Sequence, residues 1–97
     1  MAATVEKLIP FAVRAGVLVP GRERVRRGRK RILFVWLARD LSDNSRREVD
    51  GMLGALPAVT YGTSEDFSRW FGWENTKVVG VLRSEIGRSL WERLRDC

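Results

Sequence analysis

The sequence predicts an α/β protein, a three-layer α/β/α sandwich around a small mixed sheet of about four strands. Three observations carry this expectation. Helix-period segments alternate with short strand-like ones along the chain, in the order α-β-α-β-α-β-α-β-α. Ile32 to Ala38 is apolar at every position, which suits a central strand covered on both faces. A length of 97 residues suits one domain, and no repeat, linker or low-complexity tail interrupts it.

The first helix is expected over residues 4–15, capped by Thr4 and ended by Gly16, with Val5, Leu8, Ile9, Ala12 and Val13 as its apolar stripe. Pro10 should kink it or divide it. A strand over Val17–Val19 stops at Pro20-Gly21. Arg22–Arg27 is a short helix ending at Gly28, too short to stand without docking on its neighbours. The central strand runs from Arg31 to Ala38. Ser42 to Asn44 offers caps for a helix over residues 44–55, whose inner face is Val49, Met52 and Leu53. Ala58–Tyr61 is a short strand. Thr63 to Asp66 resembles a capping box in front of a helix over residues 64–71, with Phe67, Trp70 and Phe71 inward. Lys77–Leu82 is the last strand. Ser84 opens the final helix, which carries Ile86, Leu90, Trp91 and Leu94 at helical spacing.

Charge placement points to function. The chain carries 18 basic and 12 acidic residues, a net +6. Arg22, Arg24, Arg26, Arg27, Arg29, Lys30 and Arg31 stand against Glu23 alone, so residues 22–31 hold the whole excess and the rest of the chain balances. Clustered cations release condensed counterions from a polyanion, which evenly spread ones do less well. A solvated charged loop is the plainer explanation. Histidine is absent, which removes the commonest general base and metal ligand and argues against an enzyme. The single cysteine, Cys97, allows no internal disulfide; with no signal-peptide pattern and no run long enough for a membrane span, this fits a cytoplasmic protein. No cofactor, metal or small-molecule substrate is expected.

Three motifs are candidates. Gly21 to Gly28 places a glycine and a short helix after a strand, an arrangement that exposes backbone N–H groups to phosphate. The Gly-Lys-Ser/Thr ending of a Walker loop is missing. Arg39 to Asn44 leaves the carboxyl end of the central strand, where ligands of α/β sheets gather, although helix capping also explains Ser42 to Asn44. Trp73 follows Gly72 in a loop and either stacks on a base or folds back onto the sheet edge. The acidic pairs Asp40/Asp43 and Glu65/Asp66 are explained by capping.

Several blocks together resemble the kink-turn-binding large-subunit ribosomal proteins (the seven-Ae and thirty-e type), and specifically their small bacterial ribosome-associated relatives. These are Arg14-Ala15-Gly16-Val17-Leu18-Val19-Pro20-Gly21, then Ile32 to Asp40 ending Leu-Ala-Arg-Asp, then Leu41-Ser42-Asp43-Asn44-Ser45. Tyr61 to Phe67 through Gly72, and Val78-Val79-Gly80-Val81, complete the series. The resemblance spans nearly the whole chain. It implies an α/β/α sandwich, RNA binding and no catalysis. Where that family has an Asn-Glu pair and a Lys after the glycine, this chain has Glu23, Arg24 and Arg27; only the last keeps the charge. The segment between Arg27 and Gly28 is about one helical turn shorter than in the family. The family's hydrophobic loop, which packs on an extruded nucleotide, corresponds to Trp73 to Thr76.

The expected function is RNA binding, with ribosomal RNA or another structured, kink-turn-like RNA as partner and the ribosome as a possible assembly. Gly21, Arg22, Glu23, Arg24, Arg26, Arg27, Lys30 and Arg31 form the binding segment, and Arg39, Asp40 and Trp73 supply local recognition. Two alternatives stand beside it: an assembly module that binds an acidic protein through the basic patch, and a nucleotide-binding enzyme built on the Gly21 loop.

Overall fold

The computed structural model describes residues 2–96, with side chains from Val5 onward. Helix α1 (Ala2–Ala15) leads into strand β1 (Leu18–Pro20), helix α2 (Arg22–Arg27) and a 3-10 turn (Arg29–Arg31). Strand β2 (Ile32–Leu37), helix α3 (Asp43–Leu53), strand β3 (Ala58–Thr60), helix α4 (Ser64–Phe71), strand β4 (Val78–Leu82) and helix α5 (Glu85–Arg95) follow. The expected alternation is present, with element ends displaced by one or two residues. At the start of the central strand, Arg31 belongs to the 3-10 turn. The first helix begins at Ala2, so Thr4 lies inside it; the cap assigned to its side chain lies outside the described residues, as does Cys97. Pro10 does not divide α1. It sits on the exposed face, and so does Glu6, whose carbonyl loses its helical partner and can be hydrated.

The sheet is mixed, in the order β1-β4-β2-β3. β4 pairs antiparallel with β1 and β2, and β2 pairs parallel with β3. Helices cover both faces. On one side Val5, Ile9 and Ala12 of α1, Phe67 and Phe71 of α4, and Leu90 and Leu94 of α5 pack on Phe34, Trp36, Val79 and Val81. On the other, Val25 of α2 with Val49 and Leu53 of α3 pack on Ile32, Val35, Leu37 and Val78. From Phe34 onward β2 alternates its side chains between these two cores, which is why its sequence shows no polar position. Among the described residues no helix is long and apolar enough to cross a membrane.

Loops segregate to the two ends of the sheet. At one end the β1–α2 turn lies beside the α4–β4 loop, where Gly21 N–H donates to the Val78 carbonyl at 2.8 Å. The β2–α3 loop joins them through Ala38 N–H to the Lys77 carbonyl, 2.9 Å, and Arg39 N–H to the Gly62 carbonyl, 2.7 Å. The opposite end holds the 3-10 turn and the start of α5, linked by Arg83 N–H to the Arg31 carbonyl at 2.9 Å.

Candidate nucleic-acid interface

α2 is six residues long and has one buried side chain, Val25. An isolated helix of that length is unstable in water, so its position rests on Val25 and on its flanking turns. Val25 meets β4 at Gly80, where the sheet surface is bare backbone. All the charged residues of α2 then face solvent. Gly21 starts the helix at φ 88°, ψ 148°, a region essentially closed to other residues.

The charges of α2 are not equivalent. Arg22 donates to Glu48 of α3 at 2.7 Å, which ties the two helices together at the surface. Glu23 is ion-paired with Arg26, one turn along the same helix. That bond to Arg26 holds the Glu23 carboxyl below its ordinary value, helped by the nearby charge of Arg27. Among the described residues, Arg24 and Arg27 have no side-chain hydrogen bond or ion pair.

At the loop end of the sheet the structure joins three of the expected residues around one concavity. A hollow of about 630 Å³ is lined by Pro20, Gly21, Arg24, Gly72, Trp73, Glu74 and Thr76. Trp73 is half-buried, with its ring centroid 5.4 Å from that of Phe71. It is therefore neither a free loop aromatic nor fully folded away: one part rests on the α4 aromatic cluster and another lines the hollow. Behind it Trp36 anchors the cluster, 5.3 Å from Phe71 and 5.7 Å from Phe67, with its indole N–H donating to the Tyr61 carbonyl at 2.9 Å. An adjoining hollow of about 220 Å³ shares Gly21 and Thr76 and adds Arg22, Leu41, Ser45, Asn75 and Lys77.

The remaining expected residues lie elsewhere. Arg26, Arg27, Lys30 and Arg31 line a separate hollow of about 530 Å³ on the 3-10 turn. Arg39 opens onto a third region, lined also by Glu6, Tyr61, Asp66 and Trp70. Asp40 is occupied within the fold. Its carboxylate accepts from Ser64 N–H at 2.8 Å and from the Ser64 hydroxyl, and Lys77 Nζ stands 4.0 Å away. Those two bonds to Ser64, with a smaller contribution from Lys77, hold the Asp40 carboxyl below its ordinary value. Asp40 thus fastens the β2–α3 loop to the start of α4.

Sequence reasoning missed Asn75, Thr76 and Lys77 as lining residues. Asn75 had a usable signal, since asparagine tolerates the left-handed backbone it adopts at φ 57°. Arg29 lay inside the basic window and was not singled out, yet it lines the hollow on the 3-10 turn.

No protein-family model and no curated protein sequence matches this chain. Solved structures do match its fold. One is a protein of unknown function from Bacillus halodurans, at TM-score 0.82 and 22% identity, covering 94% of this chain and 96% of that one. Another is the Giardia lamblia 15.5kD RNA binding protein, at TM-score 0.71 and 11% identity, covering 98% of this chain and 88% of that one. At these identities the likeness establishes the shared fold.

Proposed function

We propose that this chain is a non-catalytic, cytoplasmic RNA-binding protein whose target is a structured RNA of the kink-turn kind, carried on ribosomal RNA or a similar scaffold. The observation that carries this reading is the loop-end hollow, lined by the Gly21 turn, the half-buried Trp73 and Arg24, which has no ion pair among the described residues. A guanidinium and an indole lining one hollow suit a nucleotide: the cation binds phosphate bidentately and the ring supplies a stacking surface. The unbalanced charge of residues 22–31 supplies affinity without sequence choice. The fold shared with the Giardia lamblia RNA-binding protein supports the same reading. So does the resemblance to kink-turn binders, whose hydrophobic loop corresponds to the segment bearing Trp73.

The test is a titration of the protein against a kink-turn RNA and a plain duplex of equal length, each at two salt concentrations. The kink-turn RNA is expected to bind at least tenfold more tightly at both. Trp73→Ala should weaken it by about 1–3 kcal/mol, the usual worth of a base–aromatic stack. Equal binding of both RNAs that collapses with salt would reduce the protein to a general backbone binder. Absence of binding at low salt would overturn the RNA reading and move the basic surface to an acidic protein partner.

A further inference from the structure

The hollow on the 3-10 turn has a lining distinct from that of the loop-end site, and few of its charges are used within the fold. Arg29, Lys30 and Arg31 are all exposed, and the turn they form has no buried residue. Among the described residues their side chains make one hydrogen bond, a marginal one of 3.5 Å from Arg29 to the Met52 carbonyl. Arg27 and Arg26, the latter ion-paired with Glu23, complete the lining, and no acid is among the lining residues. Arg83 is fastened to the turn through its backbone, and its side chain is exposed. Cations packed together with a single acid beside them repel one another, so the arrangement opposes folding unless an anion occupies it. The concave shape concentrates that positive field.

The distance between the two sites restricts the ligand. α2 joins them, with Arg24 on the loop-end hollow and Arg27, one turn later, on the other. Their outer ends, Gly21 and Arg31, are fastened to opposite ends of β4, whose five residues span about 17 Å. A mononucleotide or a single extruded base cannot reach both outer ends. A continuous phosphate backbone can.

We propose that this arginine-lined hollow is a second RNA site, which takes the phosphates of a helix flanking the structured element held at the loop end. The proposal rests on the RNA-binding reading above and adds a division of labour to it. The loop end recognises a local structure, and the far end measures whether a helical stem continues past it.

The experiment compares two RNAs carrying the same kink-turn, one with minimal stems and one with each stem extended in turn by a full helical turn. The proteins are the wild type and the Arg29→Gln/Lys30→Gln/Arg31→Gln variant, whose folding is checked by thermal melting. The wild type should gain at least about tenfold from one extended stem, with a salt dependence steeper by about two phosphate contacts. The triple variant should lose that gain and still bind the minimal RNA within about threefold of wild type. Restoring charge as Arg29→Lys/Lys30/Arg31→Lys should recover most of the gain. An equal loss on both RNAs would place these residues in the loop-end site, and no gain from either extension in the wild type would remove the second site. Either result leaves the kink-turn reading intact; failure of the wild type to bind even the minimal RNA overturns that reading and this one with it.

Discussion

At Gly80 the sheet and α2 are in direct contact: a Cβ there would lie 2.8 Å from Ile32 Cδ1 and 3.1 Å from Val25 Cγ2. Both neighbours are buried and have little room to retreat. Gly80→Val should therefore cost about 1–3 kcal/mol, the usual penalty of overpacking. It should also displace α2, so RNA affinity falls further than in Gly51→Ala. At Gly51 a Cβ meets nothing, so an alanine there serves as a neutral or mildly stabilising control. Denaturant unfolding and RNA titration of the two variants check both halves of this expectation. Gly21 makes a different demand on the same helix. Its side-chain space is open, but its backbone lies at φ 88°, so Gly21→Ala tests conformation alone. A loss of about 1–3 kcal/mol in stability is expected from the strain. Neither requirement is legible in the sequence. Gly21 reads as an ordinary turn glycine and Gly80 as an interruption of a valine-rich strand, and only the approach of α2 explains the second.

Helix α4 shows how far an element can be read from its residues. Thr63 and Asp66 were recognisable as a capping box, and the structure forms it in full: Asp66 N–H donates to Thr63 Oγ1 at 3.1 Å, and Thr63 N–H donates to the Asp66 carboxylate at 3.0 Å. The bond from Thr63 N–H is the main cause holding the Asp66 carboxyl below its ordinary value; Arg69, ion-paired to it, adds to the effect while burial opposes it. A depressed carboxyl favours the folded state only while ionised. Its contribution is complete above the unfolded value, near 3.9 for aspartate, and is lost as pH falls through the lower folded one. Asp66→Asn should therefore lower stability by about 1 kcal/mol at neutral pH. The gap between variant and wild type should then narrow below about pH 4. Urea unfolding of both proteins at pH 7 and pH 3 checks the sign. α2 was legible in its limits, Arg22 and Arg27, but not in its pairings. No spacing rule foretells that Arg22, and not Arg24, reaches Glu48, 26 positions along the chain.

Over the whole molecule, the layers were legible and the division of the surface was not. The apolar run from Ile32 to Ala38 demanded cover on both faces, and five helices with one apolar side each supply it. The basic window reads as one patch along the chain. In space it passes from the loop end at Gly21 to the far end at Arg31, so its charges divide between two hollows. Asp40 and Arg39, adjacent in sequence at a strand's carboxyl end, part company because one carboxylate is consumed by Ser64. The charge asymmetry also runs across the sheet, since α2 and the 3-10 turn lie on the α3 side while α1 and α5 cover the opposite face. A protein that binds RNA by net charge alone would be indifferent to which face loses cations. One that binds through α2 and its two ends would not be. Lys7→Gln/Arg88→Gln removes two exposed cations from α1 and α5, the same charge change as Arg24→Gln/Arg27→Gln on α2. The first pair should leave RNA affinity within about threefold and the salt dependence unchanged, while the second should flatten that dependence by about two contacts and weaken binding at least tenfold. Titrations over a range of salt concentrations separate the cases, because a steering field from total charge predicts equal losses from the two variants.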